Sequence, residues 1–399
     1  MKTARTLPIV LLFASLCGMP AGTSAQSSQP QEPQAVGWIF TPAVGFGGAW
    51  DNNILLANTG DNPPGDYATP LNPAADLDYR GRRTRLSTGY AGAFLLYRTF
   101  DELNSTEQHA HATLEQRLTE RLTLLAEETF AQVPTTDALL LSGVPFYRVG
   151  SQMNEVGTGV EARLTKFLAL RGKYSLNHVT FANDSPLVTD LQGGHEHEFV
   201  VALDRLLSPR LTIGAEFEAR RAVITGDIDG FDSNTASLGL QYDITPSLTV
   251  SGSAGVSRLG AGVAHDAEIG PAVRASITQR ARHLVLSAVY SRSFIPSFGF
   301  GGTFQNEEWQ GSVHVPFYRT RGYIDGSVAL FDNDPLVATQ PSLRSLWVSA
   351  TLGYRLTRWL SAEGYYAHSQ QDSQQAGSDL GRHQVGFRMR AAKPMRLAK

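Results

Sequence analysis

The sequence predicts an all-β chain closed into an antiparallel, membrane-spanning β-barrel of 16 to 18 strands. Three observations predict it. Apolar residues recur with a period of two through nearly the whole chain, the alternating runs are long enough to cross a bilayer at a tilt, and short turns take regular turns with longer loops. The composition agrees. Of 399 residues, 34 are Lys or Arg and 37 are Asp or Glu, a net charge of −3, and no stretch is basic enough to suggest a nucleic-acid partner. A hydrophobic content of 42% and a mean hydropathy of −0.17 exclude a bundle of transmembrane helices, each of which needs an apolar run of about 20 residues. They do not exclude a barrel, whose alternating strands average out.

The chain opens with Met1, Lys2 and Arg5, an apolar stretch from Leu7 to Cys17, and small residues ending at Ala25. That order predicts a secretory signal peptide over 1–25. Leu16 stands where a small residue precedes a lipidated cysteine, so Cys17 is read as part of the signal, and the mature chain then has no cysteine for disulfides or thiolate metal sites. A Gln/Ser/Pro-rich, disordered periplasmic segment follows at 26–36, then the barrel over 37–390 and a basic C-terminal tail over 391–399.

Strands are expected near 38–50, 70–80, 83–97, 106–118, 121–131, 153–165, 168–180, 195–207 and 210–224. The second half adds 234–244, 248–258, 267–279, 283–294, 305–316, 320–331, 343–356, 359–369 and 380–390. The alternation is explicit in Leu211, Ile213, Ala215, Phe217 and Ala219 against Thr212, Gly214, Glu216, Glu218 and Arg220. It recurs in Ala236, Leu238, Leu240, Tyr242 and Ile244 against Thr235, Ser237, Gly239, Gln241 and Asp243. The 70–80 strand has the weakest pattern, and its loss with a neighbour gives 16. An even number places both termini in the periplasm. Residues 114–130 carry Leu114, Leu118, Leu122 and Leu125 at near-helical spacing, but Thr119-Glu120-Arg121 fits a hairpin turn.

Short connections recur at Leu118–Leu122, Leu164–Leu168, Leu207–Leu211, Ile244–Leu248 and Leu356–Leu360. Four of the five carry Thr directly after the first apolar residue. Their repeat also suggests propeller blades or a solenoid, yet each interval holds two long strands and one long loop, unlike a blade of four short strands. A soluble sandwich alternates too, but with shorter strands and without loops so unequal at the two ends. The longer loops, 51–69, 132–152, 181–194, 225–233, 295–304, 332–342 and 370–379, are polar and rich in Gly, Pro, Asn and Asp. This asymmetry predicts an outer-membrane location, lipid as the surrounding partner, and short turns on the periplasmic side. Trp38, Phe40, Phe100, Phe130, Phe167, Phe181, Tyr242, Tyr318, Trp359 and Tyr366 lie near strand ends and are expected to form interfacial girdles.

By parity the inward, pore-lining face collects Arg85, His109, His111, Glu115, Arg117, Glu155, Glu161, Arg163, Arg171 and Lys173. It continues with Glu196, Glu198, Glu216, Glu218, Arg220, Gln241, Asp243, Arg274, Glu363 and Arg388. Such charges cannot face hydrocarbon and predict either a water-filled channel or a salt-bridged interior. The channel reading implies passage or export of polar or anionic solutes. The rival is a closed scaffold barrel whose loops bind an envelope or secretion partner. Inward Tyr97, Tyr323, Phe331, Trp347 and Tyr365 suggest a stacking track for sugar rings. His109/His111 and His195/His197 each share a face, but two imidazoles alone are read as ordinary polar positions, the second pair at the outer interface. Ser87 or Ser175 with His109 or His178 gives no spaced triad, and neither a G-x-S-x-G nor a phosphate or dinucleotide loop occurs. No catalytic residue, metal or cofactor is therefore assigned.

A Gly/Pro-containing first strand running into Trp50-Asp51-Asn52-Asn53-Ile54, followed by repeated Thr-x-x-Leu hairpins, resembles the β-barrel porin-2 type bacterial outer-membrane proteins. The resemblance spans most of the mature chain. It implies an outer-membrane barrel, polysaccharide passage and exopolysaccharide export machinery as partner.

Overall fold

The computed structural model describes residues 37–182, 191–226, 230–262, 266–318, 321–337, 340–373 and 379–397. The signal-peptide expectation over 1–25 and the disordered segment over 26–36 lie outside them. The first nine strands are β1 (Gly37–Asp51), β2 (Asp66–Arg80), β3 (Thr84–Tyr97), β4 (Ser105–Arg117), β5 (Leu122–Val133), β6 (Ser151–Arg163), β7 (Leu168–Phe181), β8 (Gly194–Ser208) and β9 (Leu211–Ile224). There follow β10 (Phe231–Thr245), β11 (Leu248–Leu259), β12 (Glu268–Ala281), β13 (Leu284–Pro296), β14 (Thr303–Phe317) and β15 (Gly322–Pro335). The chain ends with β16 (Leu343–Arg355), β17 (Leu360–Ser373), β18 (Leu380–Ala392) and the short β19 (Met395–Leu397). Every consecutive pair from β1 to β18 is antiparallel, and β1 also pairs β18 from Ala43↔Ala392 to Asp51↔Gln384. The sheet is therefore a closed barrel of eighteen long strands. Closure removes the open edges that a sheet this wide otherwise exposes.

One side of every strand is apolar and faces outward. Val44 and Phe46 on β1, Leu238 and Leu240 on β10 and Val385 and Phe387 on β18 are exposed, and their neighbours in sequence point into the barrel. Exposed greasy side chains on all sides of a tube need hydrocarbon around them, so this is a membrane barrel of the bacterial outer-membrane kind. Leu238, 72% exposed at the middle of β10, is the sharpest test of that orientation. Leu238→Arg is expected to cost about 2–4 kcal/mol in denaturant unfolding from lipid vesicles. The same change at inward Ser237 is expected to cost far less; equal costs at the two positions would refute the outward assignment.

The recurrent Thr acts at the short turns. In the β4–β5 turn the Thr119 hydroxyl accepts from the amides of Arg121 and Leu122 at 3.1 and 3.0 Å, and in the β16–β17 turn Thr357 accepts from Trp359 and Leu360 at 3.2 and 3.0 Å. A hydroxyl that satisfies two amides holds a tight reversal without glycine. The near-helical leucines at 114–122 thus belong to a hairpin.

Three expectations need correction. The second strand begins at Asp66 instead of 70, because Asp66 accepts from the amides of Tyr67, Thr99 and Phe100 and ties the two strand ends together. Phe100 and Phe181 are not girdle residues; Phe100 packs with Ile54, Ala68 and Tyr97, and Phe181 packs inward against the cluster around Met153 and Val179. The C-terminal residues do not simply trail away from the barrel. β18 pairing ends at Ala43, which leaves the lower edge of β1 open, and β19 covers it through Trp38↔Leu397, Ile39↔Arg396 and Phe40↔Met395.

Candidate functional site: an inner wall crossed by a loop

The connection from β5 to β6 does not extend away from the barrel. Residues 134–150 fold inward at the end opposite the short turns, and Thr136, Asp137, Leu139, Val144, Phe146 and Val149 are buried. The stem is pinned by the Thr136 amide donating to the Tyr147 carbonyl at 3.0 Å and the Tyr147 amide donating to the Thr136 hydroxyl at 2.7 Å. On its own side of the barrel, Leu139 and Val144 rest on an apolar ledge of Ala131, Val133, Met153, Val179 and Ile224, joined by Phe298.

The far side of the loop is held by strands halfway around the barrel. Gln371 on β17 clamps it by donating to the Val144 carbonyl at 2.9 Å and accepting from the Phe146 amide at 2.8 Å. The Ser142 hydroxyl meets Asn306 on β14 and Asn333 on β15 at 2.8 and 2.7 Å. Phe146 packs edge-on against Trp347 with ring centroids 5.0 Å apart, and the Trp347 indole donates to the Asp137 carbonyl at 2.9 Å.

A buried ion triad completes the attachment. Arg382 on β18 reaches Asp51 on β1 at 2.7 Å and Asp137 in the loop at 3.0 Å, while Ser369 donates to Asp137 at 2.9 Å. With side-chain exposures of 9%, 3% and 6%, one guanidinium is shared by two carboxylates away from water. Arg148 closes the stem by donating to the carbonyls of Ile54 and Leu103 at 2.8 and 2.9 Å.

Below the loop, the pairing register puts every inward-predicted charge on the inner wall. Near the short turns Arg85 lies 3.2 Å and Arg117 3.9 Å from Glu115, Arg163 lies 3.5 Å from Glu161, and Arg171 lies 2.6 Å from Asp204. Higher on the wall Lys173 lies 2.7 Å from Glu127, and Arg220 reaches Glu196 at 2.6 Å and Glu218 at 3.9 Å. Glu216 and Arg274 share this face on β9 and β12, as do His109 and His111 on β4. Across the barrel Glu363 accepts from Tyr323 at 2.6 Å and pairs with Arg388 at 2.6 Å. Gly353 makes that arrangement possible, since a Cβ there would fall 2.1 Å from the Tyr323 ring, which lies flat on the wall.

The remaining candidates fall elsewhere. Trp347 and Phe331 are inward, yet both are buried beside Phe146 beneath the loop instead of forming an open stacking track. His195 and His197 point to the outer side near the rim, where His197 Nδ1 is 2.8 Å from the Tyr174 hydroxyl. The inserted loop and its partners Asp51, Arg382, Gln371, Asn306 and Asn333 escape the parity reading. The available signal was five apolar residues, Leu139, Leu140, Leu141, Val144 and Phe146, in a connection otherwise expected to be polar.

No family model and no curated protein matches the chain. Among solved structures it is similar to OccAB4 of Acinetobacter baumannii at 10% identity and TM-score 0.46, covering 92% of this chain and 100% of that one. It is similar also to Pseudomonas aeruginosa OpdK with vanillate, at 10% identity and TM-score 0.44, covering 90% and 99% of the two chains. A third is the siderophore receptor PirA of Pseudomonas aeruginosa, at 8% identity and TM-score 0.44, covering 91% and 81%. The resemblance to β-barrel porin-2 type proteins is corrected accordingly: no family model matches, and the barrels similar in outline include these three. The partnership with exopolysaccharide export machinery, which that resemblance implied, loses its basis.

Proposed function

We propose that the protein is a non-enzymatic outer-membrane channel for small polar solutes, with residues 134–150 as its constriction. The observation that carries this reading is the pairing of a charged inner wall with a loop that crosses the interior only at the end away from the short turns. A barrel of about 16–18 strands is wide enough for an aqueous lumen, and the charges along its wall are better served by water than by packing. Glycan passage finds no support in Trp347 and Phe331, which the loop occupies. The second reading is a barrel closed by this same loop and used as a scaffold, favoured by the number of side chains that fasten it.

Reconstitution separates the two. Purified protein in planar bilayers is expected to give discrete conductance steps in potassium chloride, and liposomes carrying it are expected to swell in small neutral sugars. Silent bilayers together with liposomes that fail to swell would leave the scaffold reading standing.

A further inference from the structure

Directly beneath the apolar ledge that supports the loop, the inner wall is acidic. The ledge pair Met153 and Val179 gives way, two residues down each strand, to the opposed pair Glu155 and Asn177, and Asn177 in turn opposes Glu196 on β8. One level lower Ser175 opposes Glu198, and Glu198 opposes Arg220. Glu127, Glu155, Glu196, Glu198, Glu216 and Glu218 thus share one stretch of wall with the cations Lys173 and Arg220. An acidic stretch alone proves nothing. Two atoms within it are unusual: Glu155 is 6% exposed and its Oε2 has no hydrogen-bond partner among the described residues, and the buried Asn177 Oδ1 has none either.

We propose that this wall carries a binding subsite for an organic cation, a guanidinium or primary ammonium, centred on Glu155 and Asn177. The proposal rests on the channel reading and gives the charge class of the solute held at the constriction. Opposed positions on antiparallel strands hold their Cβ atoms about 5 Å apart, so the two unpartnered oxygens belong to neighbouring side chains on one face of the wall. A buried acceptor left without a partner is unfavourable. A charged donor repays that cost best, because the surrounding carboxylates attract it while disfavouring anions. The neighbours are engaged already: Glu196 holds Arg220 at 2.6 Å, and Glu198 accepts from Ser175 at 2.9 Å. A calcium ion asks for six or more oxygens at about 2.4 Å, and no group of three or more metal-ligating side chains is close enough among the described residues. A planar guanidinium needs only the carboxylate and amide oxygens.

The test is calorimetric titration of the full chain in detergent with agmatine, with glutarate and calcium chloride in parallel. Agmatine is expected to bind and to weaken at least tenfold in Glu155→Gln, with glutarate giving no heat of binding. Asn177→Ala, expected to weaken agmatine less, keeps the result readable should Glu155→Gln fail to fold. Agmatine binding that is absent, or unchanged in both variants, overturns the subsite and leaves the two oxygens to water; calcium binding in place of agmatine overturns it as well. Conductance without agmatine binding removes the subsite and spares the channel, whereas binding without conductance removes the channel and spares the subsite.

Discussion

Replacing residues 137–146 with two glycines is expected to raise single-channel conductance several-fold. The excision keeps Thr136 and Tyr147, whose backbones already face each other across a 3.0 Å hydrogen bond, so the stem can close as a short hairpin. What leaves is the whole span that crosses the interior: Ser142 from its two asparagines, Val144 and Phe146 from the Gln371 clamp, and Asp137 from Arg382. A barrel of about 16–18 strands without an inserted segment keeps a broad aqueous lumen, so current should rise and its dependence on solute size should weaken. Unchanged conductance in a folded variant would mean that the narrow point lies elsewhere.

The second large effect is expected from Arg382→Ala. The guanidinium is bonded to Asp51 and Asp137, and its removal leaves two buried carboxylates without a counter-charge. Breaking a buried pair by deleting one partner costs about 3–5 kcal/mol, so the denaturant midpoint from vesicles should fall markedly. The double variant Asp51→Asn/Arg382→Ala should recover part of the loss, because one orphaned charge is gone. If the single variant unfolds at the same denaturant concentration as the unmodified protein, the triad contributes nothing to holding the loop.

The barrel was readable in the sequence because its two rules are local. A period of two puts Leu238 and Leu240 outside and Ser237 and Gly239 inside whatever the rest of the chain does, and Thr119 or Thr357 closes its turn through amides two and three residues away. The charged wall follows from the same parity. The infolded loop was not readable, since its placement depends on contacts between residues such as Asp137 and Arg382, or Ser142 and Asn333, that only the closed tube brings together. Phe100 and Phe181 misled for a related reason: aromatic residues at strand ends belong to lipid or to an infolded loop, and nothing local distinguishes the two. The 70–80 strand looked weak because its outer positions include Pro73, which has no amide hydrogen to offer a neighbour.

The loop that crosses the interior is rooted between β5 and β6 and fastened to β14–β18 and β1 on the opposite side, and this gives it a mechanical consequence. A tube one sheet thick bends easily out of round when the surrounding bilayer squeezes it. A strut tied to both walls resists that flattening, and lateral pressure strong enough to make the cross-section elliptical must first strain the Gln371 clamp and the Arg382 triad. The roundness of the tube and the position of the crossing loop are therefore governed by the same few bonds.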